Sequence, residues 1–164
     1  PAVDESLVVS QKSYDKKRDD LDILTKEKIP ANSLAIEAAR ELGDLKENAE
    51  YQMAKDDQKV LLARQAELQG DLMRAKPTDF TEVSNERVGI GSIVKLLESG
   101  SSESKEFTIL GAWDSDPDNN ILSYLTPLGQ SILGKKVGDE VQINVEGNDQ
   151  ALVVESVKRW VDIS

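Results

Sequence analysis

The chain has 164 residues, 20 Lys/Arg against 31 Asp/Glu, a net charge of −11, and neither histidine nor cysteine. That composition excludes disulfides, zinc fingers, thiol nucleophiles, imidazole bases and His-ligated metals, leaving carboxylates, lysines, hydroxyls and backbone for any chemistry. So acidic a surface repels phosphate backbones, and free nucleic acid is not an expected partner.

Charge also divides the chain. Residues 1–76 hold 13 Lys/Arg and 16 Asp/Glu, whereas residues 77–164 hold 7 and 15 together with most of the glycines and the turn-like clusters. Two domains follow, an expected size for each being within the usual ~50–200 residues. No apolar run approaches the ~20 residues that span a bilayer and no secretory pattern opens the chain, so no membrane partner and a cytoplasmic location are expected.

The first arm begins at Ser10, a helix N-cap, with Tyr14, Leu21 and Leu24 recurring at seven and three and Leu7 extending the row. Pro30 predicts a kink or a stop, after which Asn32 or Ser33 caps a continuation through Leu34, Ala35, Ala38 and Ala39 to about Arg40. Residues 41–51 then bring a glycine, Gly43, and two carboxylates, Asp44 and Glu47, three apart and on one face of a turn or first helical turn. Beyond them Ala54, Leu61, Leu68 and Ala75 repeat every seven residues, with Leu72 four past Leu68 and Gln58 and Gln65 at the alternate positions. Pro77 stops this second helix. The expected unit over 1–76 is an antiparallel helical coiled-coil hairpin with an acidic tip near 42–48, its arms of ~30 residues reaching roughly 45 Å.

Residues 77–89 read as a linker with a short strand at Phe80–Val83. Strands are expected at Ser92–Leu97, Glu106–Leu110, Ile121–Leu125, Val141–Val145 and Ala151–Val157, separated by Gly-, Asn- and Asp-rich turns. Thr126-Pro127 opens one short helix that Gly134 closes. The fold class is α+β: the hairpin, then a small sheet domain over 90–164.

From the residues alone, the hairpin could be a structural coiled coil or dimerisation arm, and an acid near a helix N-terminus could be there to cap it. The tip sequence points further. Ala39-Arg40-Glu41-Leu42-Gly43-Asp44-Leu45-Lys46-Glu47-Asn48-Ala49-Glu50-Tyr51 resembles, almost residue for residue, the tip of the bacterial Gre transcript cleavage and elongation factors, closest to the GreA branch. Independently, Thr126 to Val141 is similar to the helix-to-strand signature of that family's C-terminal, FKBP-like domain, and the likeness runs over nearly the whole chain from about Leu7.

The resemblance implies a hairpin that enters the secondary channel of RNA polymerase and stimulates cleavage of backtracked nascent RNA. On that reading Asp44 and Glu47 act in the polymerase active centre, sharing a Mg²⁺ ion that the isolated protein does not bind. The protein is then an accessory factor and no enzyme by itself, a monomer when bound, with RNA polymerase and the RNA 3′ end as partners. Arg40, Lys46 and Lys55 become contacts to RNA or to the channel wall, with Lys59 behind them. Lysine at 55, where the family commonly has arginine, lacks the bidentate fork that suits phosphate. Asn48 and Tyr51 support the tip, although an outward tyrosine could instead stack on RNA. The FKBP likeness raises peptidyl-prolyl isomerase activity, which the 4% aromatic content argues against. Ile121, Leu122, Leu125, Pro127, Leu128 and Ile132 form the pool for docking on polymerase. The competing function is a Gre-like inhibitor occupying the same channel, which such relatives achieve with altered tips.

Overall fold

The computed structural model describes residues 6–43, 48–145 and 147–163. They divide into two compact units, Tyr14–Ala75 and the remainder, Pro1–Ser13 with Lys76–Ser164.

The helical unit is built from α1 (Gln11–Ile23), a π-helical turn (Leu24–Lys28), α2 (Ile29–Glu41) and α3 (Ala49–Arg74). Pro30 neither ends nor caps the first arm. Proline has no N–H to give and its ring collides with the carbonyl four residues back, so the backbone just before it widens. Ile29 N–H accordingly bonds to the Leu24 carbonyl five residues behind. This inserts one residue into the helical register. The seam positions, all buried or half-buried, run Tyr14, Lys17, Leu21, Leu24 and then, after the extra residue, Ile29, Asn32, Ile36, Ala39.

The expected helical continuation through Leu34, Ala35, Ala38 and Ala39 is present, as α2 runs to Glu41, but of these four only Ala39 is buried and the other three are exposed. Asn32 is no cap either. It is buried in mid-helix and its Nδ2 donates to the Ala54 carbonyl of α3 at 2.9 Å, a polar tie between the arms. On α3 the heptad expectation holds, with Ala54, Gln58, Leu61, Gln65, Leu68 and Leu72 turned inward and Leu68 only 1% exposed, while the last expected position, Ala75, is extended and half-buried just past the helix. Near its open end the hairpin is clamped by Lys17 Nζ, 2.8 Å from Asp71 Oδ2, while Arg74 Nη2 donates to Oδ1 of the same carboxylate at 2.8 Å.

Leu7 does not extend the helix. Leu7–Ser10 is a strand, β1, in a two-stranded sheet with β2 (Ala75–Thr78), as the β-branched pair Val8-Val9 favours. Val9 is fully buried, Ala112 N–H donates to Val8 O at 2.7 Å, and Val8 N–H donates to the Tyr124 hydroxyl oxygen at 3.1 Å. Ser10 then caps α1 as expected, its Oγ accepting from Ser13 N–H at 3.0 Å. Asp114 gathers this corner. Its carboxylate accepts from the Ser10 and Gly111 backbone N–H groups at 3.0 and 2.9 Å and from the hydroxyls of Ser10 and Ser13. Gly111 is required there, because a Cβ would lie 2.6 Å from Val9 Cα and 2.5 Å from the Asp114 carboxylate.

α3 ends at Arg74, three residues ahead of Pro77. The strand expected at Phe80–Val83 is absent; the segment is turn and coil. Phe80 adopts φ +63, is buried against Gly91, and meets the Trp160 ring edge-on at 5.7 Å. Packing of that one ring overrides the local strand propensity.

The main sheet has the order β5-β4-β3-β7-β6, from β3 (Ser92–Glu98), β4 (Ser104–Leu110), β5 (Ile121–Ser123), β6 (Glu140–Val145) and β7 (Asn148–Arg159). All neighbours are antiparallel except β4 and β5, and a bulge between Lys95 and Leu96 shifts the β3/β7 register. The single short helix α4 (Pro127–Ile132) starts as expected at Thr126, whose Oγ1 accepts from Gly129 N–H at 3.1 Å. Its Ile132 enters a core with Val88, Val94, Leu96, Ile109, Val141, Leu152 and Val154. Among the described residues no helix is long and apolar enough to cross a membrane.

Two predictions follow from these clamps. Asp114→Ala removes an acceptor shared by four donors, two of them backbone groups, and is expected to cost about 3 kcal/mol in urea unfolding. For Asp71, the hydrogen bond from Lys17 holds its carboxyl below the usual range, Arg74 adds to this, and burial opposes it. A lowered folded value means the stabilisation is complete above the unfolded carboxyl pKa of about 3.9 and is lost as pH falls through the folded one. Thermal melts of the parent and Asp71→Asn are therefore expected to differ at neutral pH and converge as pH drops below about 3.9.

Candidate functional site

The tip of the hairpin is framed by two residues of opposite duty. Gly43 follows the C-cap Leu42 of α2 and adopts φ +112, a backbone region closed to residues with a Cβ, while its N–H bonds back to Arg40 O at 3.3 Å. A side chain at 43 would meet nothing within 4 Å, so conformation alone demands the glycine.

At the other end Asn48 is the N-cap of α3. Its Oδ1 accepts from Tyr51 N–H at 3.0 Å, one of the orphan amides of a first helical turn. The same side chain reaches across the tip, its Nδ2 donating to the Ala39 carbonyl near the end of α2 at 2.6 Å. Asn48 therefore bonds the terminal turn of each helix at once.

Tyr51 is half-buried beside it, and the Arg40 guanidinium sits 6.0 Å from the centre of its ring. Arg40 itself is exposed, so the ring supports a cation that still faces solvent. Lys55 is half-buried along α3, with its Nζ donating to Gln58 Oε1 at 3.0 Å, and Lys59 is exposed. Asp44, Lys46 and Glu47 lie outside the described residues. Between Gly43 and Asn48 the chain supplies four residues, and two of them are the carboxylates singled out from sequence.

By residue type, the carboxylates of Asp44 and Glu47 are hard oxygen donors that would suit a cation such as Mg²⁺, which takes one or two protein carboxylates and fills its octahedron from water and phosphate. Among the described residues no group of three acidic side chains converges on a common point.

The pool of apolar residues in the sheet domain separates. Ile132 is core and Leu128 packs on it, Ile121 and Leu122 are half-buried, and Leu125 and Pro127 are exposed.

Comparison with known proteins matches residues 7–76 to the family described as transcription elongation factor, N-terminal, and residues 83–159 to that described as transcription elongation factor, GreA/GreB, C-term. The chain is 40% identical over 144 residues to the transcription elongation factor GreA of Nautilia profundicola, covering 88% of this chain and 89% of that protein. This chain belongs to the GreA/GreB family of transcription elongation factors. It is also 38% identical over 151 residues to the GreA protein of Treponema pallidum, covering 92% of this chain and 93% of that one. Among solved structures, the GreA/GreB elongation factor from Nitrosomonas europaea superposes with a TM-score of 0.44 at 25% identity, over 63% of this chain and 90% of that one.

Within this GreA/GreB tip, Gly43→Ala forces a Cβ into a positive-φ residue without relieving any clash. It is expected to destabilise the hairpin by about 1–2 kcal/mol, read from denaturant midpoints, with the helix content of the folded state unchanged.

Proposed function

We propose that this chain binds RNA polymerase through the secondary channel and stimulates the polymerase to cleave backtracked nascent RNA. The observation that carries the reading is the framed tip: two helix ends tied by one asparagine, with both acids in the four residues between them. Membership of an elongation-factor family supplies the partner class, since the relatives named above are transcription elongation factors.

In this reading Asp44 and Glu47 are anionic oxygens delivered to a metal-dependent hydrolysis centre that lies in the partner. The Mg²⁺ held there supplies Lewis-acid stabilisation of the oxygens in an in-line displacement at phosphorus. This chain supplies position and charge. Asp44 and Glu47 present carboxylates to that centre and to the attacking water. Arg40, supported on Tyr51, and Lys46 face the anionic RNA 3′ segment, where a guanidinium forms the stronger phosphate contact. Lys55, engaged with Gln58, contributes a weaker cation farther along α3.

The protein alone is then no nuclease. It acts as a monomer on the polymerase, inside the cytoplasm, and its product is a nascent RNA whose new 3′ end again lies in register with the catalytic centre.

The test uses stalled, backtracked polymerase carrying labelled RNA. The parent is expected to release short 3′ fragments, and Asp44→Asn and Glu47→Gln to keep binding while cleavage falls by at least a hundredfold. Variants that cleave like the parent would sink the assignment of the tip acids. A parent that binds and slows elongation without releasing fragments would make the chain an inhibitor of the same channel.

A further inference from the structure

The tip contains a second device, carried by a residue that never touches RNA in the proposed scheme. We infer that Asn48 is a positioning residue: its carboxamide sets the separation of the α2 and α3 ends and so the reach of the two acids between them. This inference rests on the cleavage reading given above.

The geometry distinguishes it from an ordinary helix cap. A cap needs only an acceptor, and Ser, Thr and Asp serve as well as Asn. Asn48 uses both ends of its amide, with Oδ1 facing the Tyr51 N–H at 3.0 Å and Nδ2 facing the Ala39 carbonyl at 2.6 Å. The amide orientation is determined by this pairing, because flipping it would set donor against donor and acceptor against acceptor. Ala39 O already accepts from Leu42 N–H at 3.2 Å, so the second bond from Asn48 does more than satisfy an orphan carbonyl.

The neighbours reinforce the tie. Ala39 is 3% exposed and is the last seam residue of α2 before the tip, which makes its carbonyl a rigid anchor. Tyr51, whose N–H completes the other half, places its ring under Arg40, the final cation of α2. The arms are thus joined twice beyond the last seam residue, once by hydrogen bonds and once by cation and ring. Catalysis by a delivered group depends steeply on its placement, and an error of about 1 Å can cost a hundredfold in rate. Losing the crossing bond while keeping the cap is expected to lower the rate and leave affinity alone.

Two substitutions separate the bond from the cap. Asn48→Asp keeps an acceptor for Tyr51 N–H and turns the donor into a second acceptor facing Ala39 O. Asn48→Ser keeps a neutral cap too short to cross. Single-turnover cleavage in backtracked polymerase, titrated with factor, gives the saturating rate and the half-saturating concentration, and competition with labelled parent gives affinity. Both variants are expected to lose about tenfold in saturating rate, with half-saturation and competition within about twofold of the parent. In the free protein, the Asn48 side-chain amide protons are expected to exchange with solvent markedly more slowly than those of the exposed Gln69.

Either variant cleaving at the parental saturating rate overturns the inference, as does a loss that falls on affinity instead of rate, or Asn48 protons exchanging like those of Gln69. Asp44→Asn run alongside keeps the two readings apart. If it abolishes cleavage while the Asn48 variants do not, only the positioning role fails; if the parent itself yields no fragments, the cleavage reading fails and takes this inference with it.

Discussion

The hairpin depends on a seam that must stay continuous past a proline. A helix that simply resumed after Pro30 without the extra residue would carry the spacing of Tyr14, Lys17, Leu21 and Leu24 on to Ala31, Ala35 and Ala38, in place of Asn32, Ile36 and Ala39. The π turn at Leu24–Lys28 adds one residue and rotates the whole of α2 by about 100°, which is what brings Ile36 and Ala39 onto α3. Everything at the tip is downstream of that rotation, because Ala39 is both the last seam residue and the acceptor for Asn48. Proline here is a register device and not a stop.

The seam is thin, and polar ties are placed along it where apolar contact is scarce. Asn32 bonds across its middle, Lys17 and Asp71 join its open end, and Asn48 closes its tip. Each tie has a defined geometry, so each also specifies the register of one arm against the other, which an alanine- and glutamine-rich seam would leave open to slippage. A protein that presents a few side chains to a partner needs that register more than it needs a large margin of stability.

The heptad of α3, the capping serine of α1, Thr126 with α4, and the strands of the sheet domain were all legible in the sequence, since each carries a periodicity or a cap pattern within a few residues. The register of α2 was not, because a one-residue insertion in the backbone leaves no trace in a hydrophobic pattern read at constant period. Nor was β1, whose strand form rests on Ala112, Asp114 and Tyr124 more than a hundred residues away. Phe80 likewise reads as a strand residue until Gly91 and Trp160 claim its ring. At the tip, Gly43 and the motif around it were evident from the residues, whereas the bond from Asn48 to Ala39 joins two helices and carries no local signature. Nothing local marks Asp114 either, since three of its four donors come from Ser10 and Ser13 at the other end of the chain and only Gly111 N–H is close in sequence.

A chain with no histidine and no cysteine, and with its acids at the end of a helical pair, is suited to lending oxygen ligands to another protein's centre. The most direct measurement is a structure of this protein bound to backtracked RNA polymerase in the presence of Mg²⁺. The account predicts the carboxylates of Asp44 and Glu47 at the catalytic magnesium, with Asn48 still bridging Tyr51 and Ala39. A hairpin bound with both carboxylates turned away from the metal, or lodged elsewhere on the polymerase, would contradict it.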